Sequence, residues 1–176
     1  MSVIKTYTGK MFDPIKANAE DILIEDIAHA LSMLCRANGH FPHFYSVGQH
    51  SINCMNEARA RGYSKRIQLG CLLHDGSEAY LSDITRPIKP YITGYLEIEA
   101  KLQGEIFDKW IAPPLTEEEK KLVFEIDDAI LYYEFLALMN EKLYDSKPKL
   151  CSQPIFSFVD FKEIENSFME SFNELT

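Results

Sequence analysis

Histidine and carboxylate residues recur in this 176-residue sequence at positions where they could bind a metal ion. His74 and Asp75 are adjacent inside its most apolar predicted helix, and Glu78 follows at i+4 and i+3, on the same side. A buried carboxylate without compensation costs several kcal/mol. An isolated His-Asp pair would favour a helical salt bridge, but two acids and a histidine sharing one buried helix favour coordination of a cation.

His50 and Asp127 lie on the apolar faces of two other predicted helices. His50 shares its face with Val47 and Cys54, where a lone histidine is more often a satisfied core residue than a ligand. Asp127 shares its stripe with Glu134, so both carboxylates are expected to point into the core. The spacing is equally consistent with Asp127 as a metal ligand and with Asp127 in a salt bridge. The candidate salt-bridge partners are Arg36, Arg86 and Lys89.

Two histidines and two aspartates together form a shell of mixed nitrogen and oxygen donors. The set is His50, His74, Asp75 and Asp127. Such a shell suits a divalent metal with room for bound water. The ions considered are Mn, Co, Fe, Ni, Zn and Mg.

The elements that must position these residues are predicted to be six or so helices, with almost no sheet. The predicted ranges are about 25–37, 46–61, 64–81, 94–110, 116–143 and 160 onwards. Residues 5–13 alternate loosely around Gly9 and predict a short β-hairpin or an irregular arm. The expected fold is all-α, a compact helical bundle with residues 1–176 in a single domain.

Capping signals place the beginnings of the last two predicted helices. Thr116 with Glu119 forms a capping box, and Asp160 with Glu163 opens the final helix. Phe161 is expected on the apolar face of that helix, whose other members are Ile164, Phe168 and Phe172.

Composition excludes several classes of protein. The net charge of −9 argues against a general nucleic-acid binder, which needs a basic face. No apolar run is long enough to span a bilayer, and the first residues lack the apolar stretch of a secretory signal. The four cysteines are expected to be buried free thiols in a reducing cytoplasm. They are Cys35, Cys54, Cys71 and Cys151.

The order of these histidines and aspartates on a helical scaffold resembles the HD-domain superfamily of metal-dependent phosphohydrolases. The stretches RANGH, YSVGQHS and CLLHDGSEAYLSDITRPIK look most like its bacterial and phage branch of small nucleotide phosphohydrolases. The resemblance runs from about Ile27 to Leu138. That branch includes 5′-nucleotidases for deoxynucleoside monophosphates and hydrolases that remove triphosphate from deoxynucleotides.

The resemblance implies a role for each residue. Glu78 and Asp83 would be catalytic or would hold a second metal. Arg36 would meet the phosphate, and Lys89 matches a lysine near the phosphates in some members. The 5′-nucleotidase pattern has Trp after the arginine, where this chain has Ala37, so sugar and base selectivity do not carry over. The residues that would hold the metal are His50, His74, Asp75 and Asp127.

We therefore expect metal-activated water to hydrolyse phosphate from (deoxy)nucleoside 5′-phosphates, from mono- to triphosphates. The alternatives are an HD-type hydrolase of a cyclic nucleotide or alarmone, and a non-catalytic module that binds a metal and a nucleotide. The expected partners are a small-molecule nucleotide and further copies of the chain, in a dimer or larger homo-oligomer, with no nucleic acid and no membrane. His40 and His43 flank Pro42 in a predicted loop, and their roles stay open.

Overall fold

The computed structural model describes residues 3–176, and α-helices dominate it. A short antiparallel hairpin, β1 (Ile4–Lys5) with β2 (Met11–Phe12), precedes them, and Gly9 turns it with a φ of 89°. The helical class and the N-terminal hairpin are thereby confirmed. Met1 and Ser2 of the expected domain lie outside the described residues. The helices are α1 (Ile24–Met33), α2 (Val47–Ala60), α3 (Lys65–Leu73), α4 (Glu78–Leu81), α5 (Tyr95–Trp110), α6 (Glu117–Met139) and α7 (Phe161–Leu175).

Helix α2 lies at the centre of the helical packing and contacts α1, α3, α6 and α7. Its N-cap is Ser46, whose side chain accepts a hydrogen bond from the Gln49 amide. Val47, His50 and Cys54 are all buried, so the predicted inward face is confirmed. Within residues 3–176, each helix falls short of the length and apolarity needed to cross a membrane.

The helix predicted over 64–81 is divided into α3, which ends at Leu73, and the short α4, which begins at Glu78. Residues 74–77 form tight turns in which the Gly76 amide donates to the Leu73 carbonyl at 2.9 Å. A Cβ on Gly76 would lie 3.2 Å from Ile106 of α5, so this turn needs a glycine for close packing. His74, Asp75 and Glu78 all line one cleft.

The helix predicted over 25–37 ends four residues early, at Met33. Leu34 and Cys35 are extended, and the Arg36 amide donates to the Tyr45 carbonyl at 2.9 Å in a strand-like bridge. Ala37 then adopts a left-handed conformation, with a φ of 51°. Backbone pairing between distant residues thus outweighs the local helix propensity of this segment. As a result, Arg36 lies outside α1 and lines the cleft.

The later helices begin as predicted. The capping box of Thr116 and Glu119 is present at α6, and Asp160 caps α7. Helix α6 ends at Met139 rather than Leu143, because Asn140 takes a left-handed conformation. The expectation for Phe161 is wrong: it is 42% exposed, whereas Ile164, Phe168 and Phe172 are buried.

The four cysteines are free, as expected, but their predicted burial holds only in part. Cys54 and Cys71 are buried in α2 and α3. Cys35 is half-buried because α1 ends before it, and Cys151 is exposed because it lies on an irregular segment at the surface.

Residues 151–157 form a strap that polar side chains of α2 hold in place. Glu57 accepts hydrogen bonds from the amides of Cys151 and Ser152, and from the Ser152 hydroxyl. Asn53 exchanges hydrogen bonds with the backbone of Ile155, and Gln49 donates to the carbonyls of Ile155 and Ser157. Because these three side chains are four residues apart, they form one row along the helix.

Candidate metal centre

Two imidazole rings from different helices lie next to each other, His74 in the wall of the cleft and His50 buried beneath it. His50 comes from α2, and His74 is the residue that ends α3. Their Nε2 atoms are 3.2 Å apart, and His50 is fully buried. Two nitrogen atoms at this distance repel each other unless a proton or a cation lies between them.

Two carboxylates close around this pair of nitrogens. Asp127 Oδ1, from α6, lies 3.1 Å from His50 Nε2 and 3.7 Å from His74 Nε2. Asp75 Oδ2 lies 3.2 Å from His74 Nε2 and 3.8 Å from His50 Nε2. The structure therefore brings together the residues predicted from sequence as ligands.

The second nitrogen of each ring fixes its tautomer. His74 Nδ1 lies 2.8 Å from the carbonyl oxygen of Cys71, which can only accept, so Nδ1 donates. His50 Nδ1 contacts a carboxylate oxygen of Glu134 in the same way. Each neutral ring therefore presents the lone pair of Nε2 to the centre, which is the arrangement of metal-binding histidines.

The electrostatics of the cluster favour positive charge at its centre. Burial opposes the charged form of His74, yet the carboxylates of Asp75 and Asp127 outweigh it and raise the pKa of His74 well above its usual value. The pKa of His50 is also raised, because Glu134 and Asp127 outweigh burial and Arg36. Burial opposes the ionised form of Asp127, but contacts with both histidines hold its pKa well below the ordinary range.

A thiol also reaches the cluster. Cys54 Sγ lies 3.4 Å from His50 Nε2, one helical turn further along α2. The potential ligand atoms of His50, Cys54, His74 and Asp127 all lie within 4.8 Å of one another. This group could hold a metal ion. Burial, with the nearby Asp127 carboxylate, raises the pKa of Cys54 well above its usual value, so the thiol is neutral.

Arg36 connects the cluster to the cleft. Its Nη1 lies 3.3 Å from Asp75 Oδ2, and its Nε donates to Glu134 Oε2 at 3.2 Å. The side chain is 10% exposed and lines the cleft. A buried guanidinium held by two carboxylates is a fixed positive charge beside the histidine pair.

Glu78 and Asp83 line the same end of the cleft. Burial, together with Asp75 and Asp83, raises the pKa of Glu78 well above its usual value. Its Oε2 is buried with no hydrogen-bond partner among the described residues. Burial and Asp75 also raise the pKa of Asp83. A buried carboxyl that retains its proton can act as an acid.

The backbone before Asp83 is strained. Ser82 has a φ of 74° and a ψ of 156°, a conformation that costs a residue other than glycine about 1–3 kcal/mol. Its amide donates to the Glu78 carbonyl at 2.8 Å, and its carbonyl accepts from the Tyr95 hydroxyl. These contacts hold the turn that directs Asp83 to the cleft.

Two cations flank this acidic end. Lys89 Nζ lies 2.6 Å from Glu99 Oε1 and 3.5 Å from Glu78 Oε1. Arg86 Nη2 lies 3.3 Å from Asp127 Oδ2, while its Nη1 donates to Asp128 at 2.8 Å. One oxygen of Asp127 thus forms the predicted salt bridge, with Arg86, while the other faces the histidines, and its role as a metal ligand stays a prediction.

The cleft has a volume of about 1200 Å³ and extends from this acidic end along apolar walls of α5 and α6. His40 lies at its edge, whereas His43 turns away and contacts the Phe156 carbonyl of the strap at 2.8 Å. The apolar wall is formed mainly by Leu96, Phe107, Val123, Phe124, Leu131 and Phe135.

Sequence reasoning assigned no role to three side chains that the structure places at the centre. Glu134 was expected to point inward, but its contacts with His50 and Arg36 link residues that are far apart in sequence. Tyr45, the first residue of the YSVGQHS stretch, donates to Glu134 at 2.9 Å, and that stretch was a signal that could have found it. Cys54 shares the face of His50, and this spacing of four residues was the available signal.

Comparisons with known proteins give relatives without assigned functions. No family model matches the chain. It is 32% identical to the uncharacterized protein YfdR of Escherichia coli (strain K12) over 187 residues, which covers 100% of this chain and 97% of that protein. It is 33% identical to an uncharacterized protein of Rhodobacter capsulatus over 129 residues, or 70% of this chain and 65% of that protein.

Proposed function

The chain belongs to the family of Escherichia coli YfdR, and we propose that it is a metal-dependent phosphohydrolase of (deoxy)nucleoside 5′-phosphates, from mono- to triphosphates. One observation carries the proposal. Two histidine nitrogens and two carboxylates converge next to Arg36 and to Glu78, whose Oε2 is buried with no hydrogen-bond partner among the described residues. All of these residues except the fully buried His50 line one cleft.

The metal ligands that we propose are His50, His74, Asp75 and Asp127. Their measured donor separations run from 3.1 Å, between His50 and Asp127, to 3.8 Å, between His50 and Asp75. Neighbouring donors around one ion with bonds of about 2.0–2.2 Å lie roughly 3.0–3.4 Å apart, so small shifts would suffice. The nitrogen and oxygen donors suit Mn, Co, Fe, Ni, Zn or Mg with water in the remaining positions.

Either Asp75 or Cys54 could supply the remaining ligand of this shell, and two variants distinguish between them. Asp75→Ala is expected to lower metal affinity strongly, whereas Cys54→Ala should retain the metal, because the buried thiol is neutral and a metal is bound by the thiolate. Elemental analysis and calorimetric titration of protein purified without chelator measure both. Retention of metal in Asp75→Ala with its loss in Cys54→Ala would assign the ligand to sulfur.

The chemistry follows from what surrounds the cluster. A divalent ion bound there supplies Lewis acidity and an acidified water. In this proposal Asp83, which lines the cleft, would orient that water, and Glu78, whose pKa is raised, would supply the proton to the leaving oxygen when its bond to phosphorus breaks. Arg36 and Lys89 bind the phosphoryl oxygens, whose negative charge they offset.

The cleft fits a nucleotide as the substrate. Sites for small molecules commonly have volumes of about 300–1000 Å³, so about 1200 Å³ is sufficient for a nucleoside with its phosphates. Apolar walls beyond the charged end suit a base. Ala37 lines the cleft beside Arg36 with a small side chain, so we expect tolerance of sugar variation and activity beyond monophosphates.

A larger phosphorylated signal is the second candidate, because the cleft exceeds what a mononucleotide requires. An HD-type hydrolase of a cyclic nucleotide or alarmone would use the same charged end. A non-catalytic nucleotide-binding module is the third candidate, but a structural metal would not need Glu78, whose buried Oε2 has no hydrogen-bond partner among the described residues.

The decisive experiment is turnover of a substrate panel under Mn, Co, Mg, Ni and Zn. It should contain ribo- and deoxynucleoside mono-, di- and triphosphates, cyclic nucleotides, cyclic dinucleotides and an alarmone, and phosphorus NMR identifies the released product. We expect metal-dependent release of phosphate or intact triphosphate from the mononucleotides. Faster turnover of a cyclic or alarmone substrate would favour the second candidate, and binding without release under every metal would favour the module.

A further inference from the structure

Glu134 is a fully buried carboxylate on α6 that no part of the proposed reaction uses directly. Both of its oxygens are occupied. Oε1 accepts from His50 Nδ1 and from the Tyr45 hydroxyl, and Oε2 accepts from Arg36 Nε. One side chain therefore contacts a proposed metal ligand and a proposed phosphate-binding residue at once.

The direction of every hydrogen bond around Glu134 is fixed. Asn53 Nδ2 can only donate, and it donates to the Tyr45 hydroxyl at 2.9 Å. Tyr45 therefore uses its own hydrogen for Glu134 Oε1. The ionised carboxylate can only accept, so His50 must carry its proton on Nδ1. This leaves His50 Nε2 as the ring nitrogen that faces His74 and Asp127, where a metal ion would bind.

The same carboxylate sets the orientation of Arg36. Its contact with Nε holds one edge of the planar guanidinium, and Asp75 Oδ2 contacts Nη1 at 3.3 Å. A guanidinium held at two of its nitrogens has little freedom to rotate, so its position in the cleft wall is fixed.

We propose that Glu134 is a positioning residue that fixes the Nδ1–H tautomer of His50 and the plane of Arg36, and so prepares metal binding and phosphate recognition together. The part concerning Arg36 rests on the proposed function. The part concerning His50 requires only that the cluster binds a metal. Three donors, on His50, Tyr45 and Arg36, now share the two acceptor oxygens of Glu134. A glutamine in its place has only one acceptor oxygen, so it cannot accept from both His50 and Arg36.

The simplest competing role for Glu134 is structural, as a counter-charge for a buried arginine. Glu57 provides a matched control, because it is also fully buried and accepts from an arginine, Arg61, at 2.7 Å. Its remaining partners are Cys151 and Ser152 of the strap, which do not line the cleft. Glu57→Gln tests what the loss of a buried charge does to the fold alone.

The test is titration of apo protein with Co²⁺, followed by calorimetry and by the visible absorption of the bound ion. Loss of a partner that orients a metal-binding histidine typically lowers affinity about 10–100-fold. We expect a loss of this size and an altered Co²⁺ spectrum in Glu134→Gln. Tyr45→Phe should show a smaller loss, and Glu57→Gln should match the wild-type affinity and spectrum even where its melting temperature falls.

Wild-type affinity and spectrum in Glu134→Gln, or an equal loss in Glu57→Gln, would overturn the positioning role while leaving the metal site intact. Failure of the wild-type protein to bind Co²⁺ or any other divalent ion would instead overturn the proposed function. Should Glu134→Gln not fold, nitrogen-15 NMR of the Zn²⁺-loaded wild-type protein decides the matter. His50 with its proton on Nδ1 supports the proposal, and a proton on Nε2 overturns it.

Discussion

Replacing Asp127 with asparagine is expected to abolish both tight metal binding and turnover. Its Oδ1 is close to both histidine Nε2 atoms, at 3.1 Å from His50 and 3.7 Å from His74, so the substitution removes a charged ligand from the centre. The several kcal/mol that a bound metal contributes correspond to a fall in kcat of about a thousandfold or more. Metal content by elemental analysis and phosphate release by steady-state kinetics measure the two effects.

Asp128→Asn is the matched control for this substitution. Asp128 is the next residue of α6, points aside, and contacts Arg86 at 2.8 Å rather than the histidines. We expect its metal content and kcat to stay near those of the wild-type protein. Full metal occupancy and normal turnover in Asp127→Asn would show that Asp127 serves only in the salt bridge with Arg86.

Replacing Glu78 with glutamine is expected to reduce turnover while the metal stays bound. Glu78 is buried, lacks a partner for Oε2, and has a raised pKa because of burial and the nearby Asp75 and Asp83. Loss of a general acid costs about 10²–10⁴-fold in rate. Glutamine keeps the size and the burial but has no proton to transfer, so kcat should fall with unchanged metal stoichiometry.

The pH dependence gives an independent measure of the same residue. A raised pKa means that Glu78 retains its proton to higher pH than an ordinary glutamate, and it loses that proton as the pH rises further. Wild-type kcat is therefore expected to fall on the alkaline side of this pKa, and the residual activity of Glu78→Gln should lack that fall. Glu99→Gln, which removes a contact of Lys89 in the same cleft, is the control and should retain most of kcat. A near wild-type rate in Glu78→Gln would exclude its role as the acid.

Much of the helical framework could be predicted from sequence because its signals are local. The capping box at Thr116 and the cap at Asp160 each depend on residues within three positions of the helix start. Periodicity likewise placed His50 on an inward face and Asp127 with Glu134 on another, since residues four or seven apart share a face. The metal-ligand roles of these residues remain predictions.

Two helix ends could not be predicted, because contacts between distant residues decide them. Helix α3 ends at Leu73, before the turn in which a Cβ on Gly76 would lie 3.2 Å from Ile106, and α1 ends before Arg36, whose amide donates to the Tyr45 carbonyl. Sequence periodicity indicates which face of a helix is apolar. It does not indicate where a tertiary contact stabilises the chain more than another turn of helix would.

The sequence by itself determined the residue types and their separate inward orientations: histidines and carboxylates on apolar faces, whose burial demands a compensating charge. Only the tertiary structure decided which of them meet. Glu134 contacts His50, Tyr45 and Arg36 across 84, 89 and 98 residues of chain, and these contacts fix the tautomer of the histidine and the plane of the arginine. The physical reason is that helical periodicity gives only the direction in which a side chain points around the axis of its own helix. The distances between side chains of different helices depend on how those helices pack.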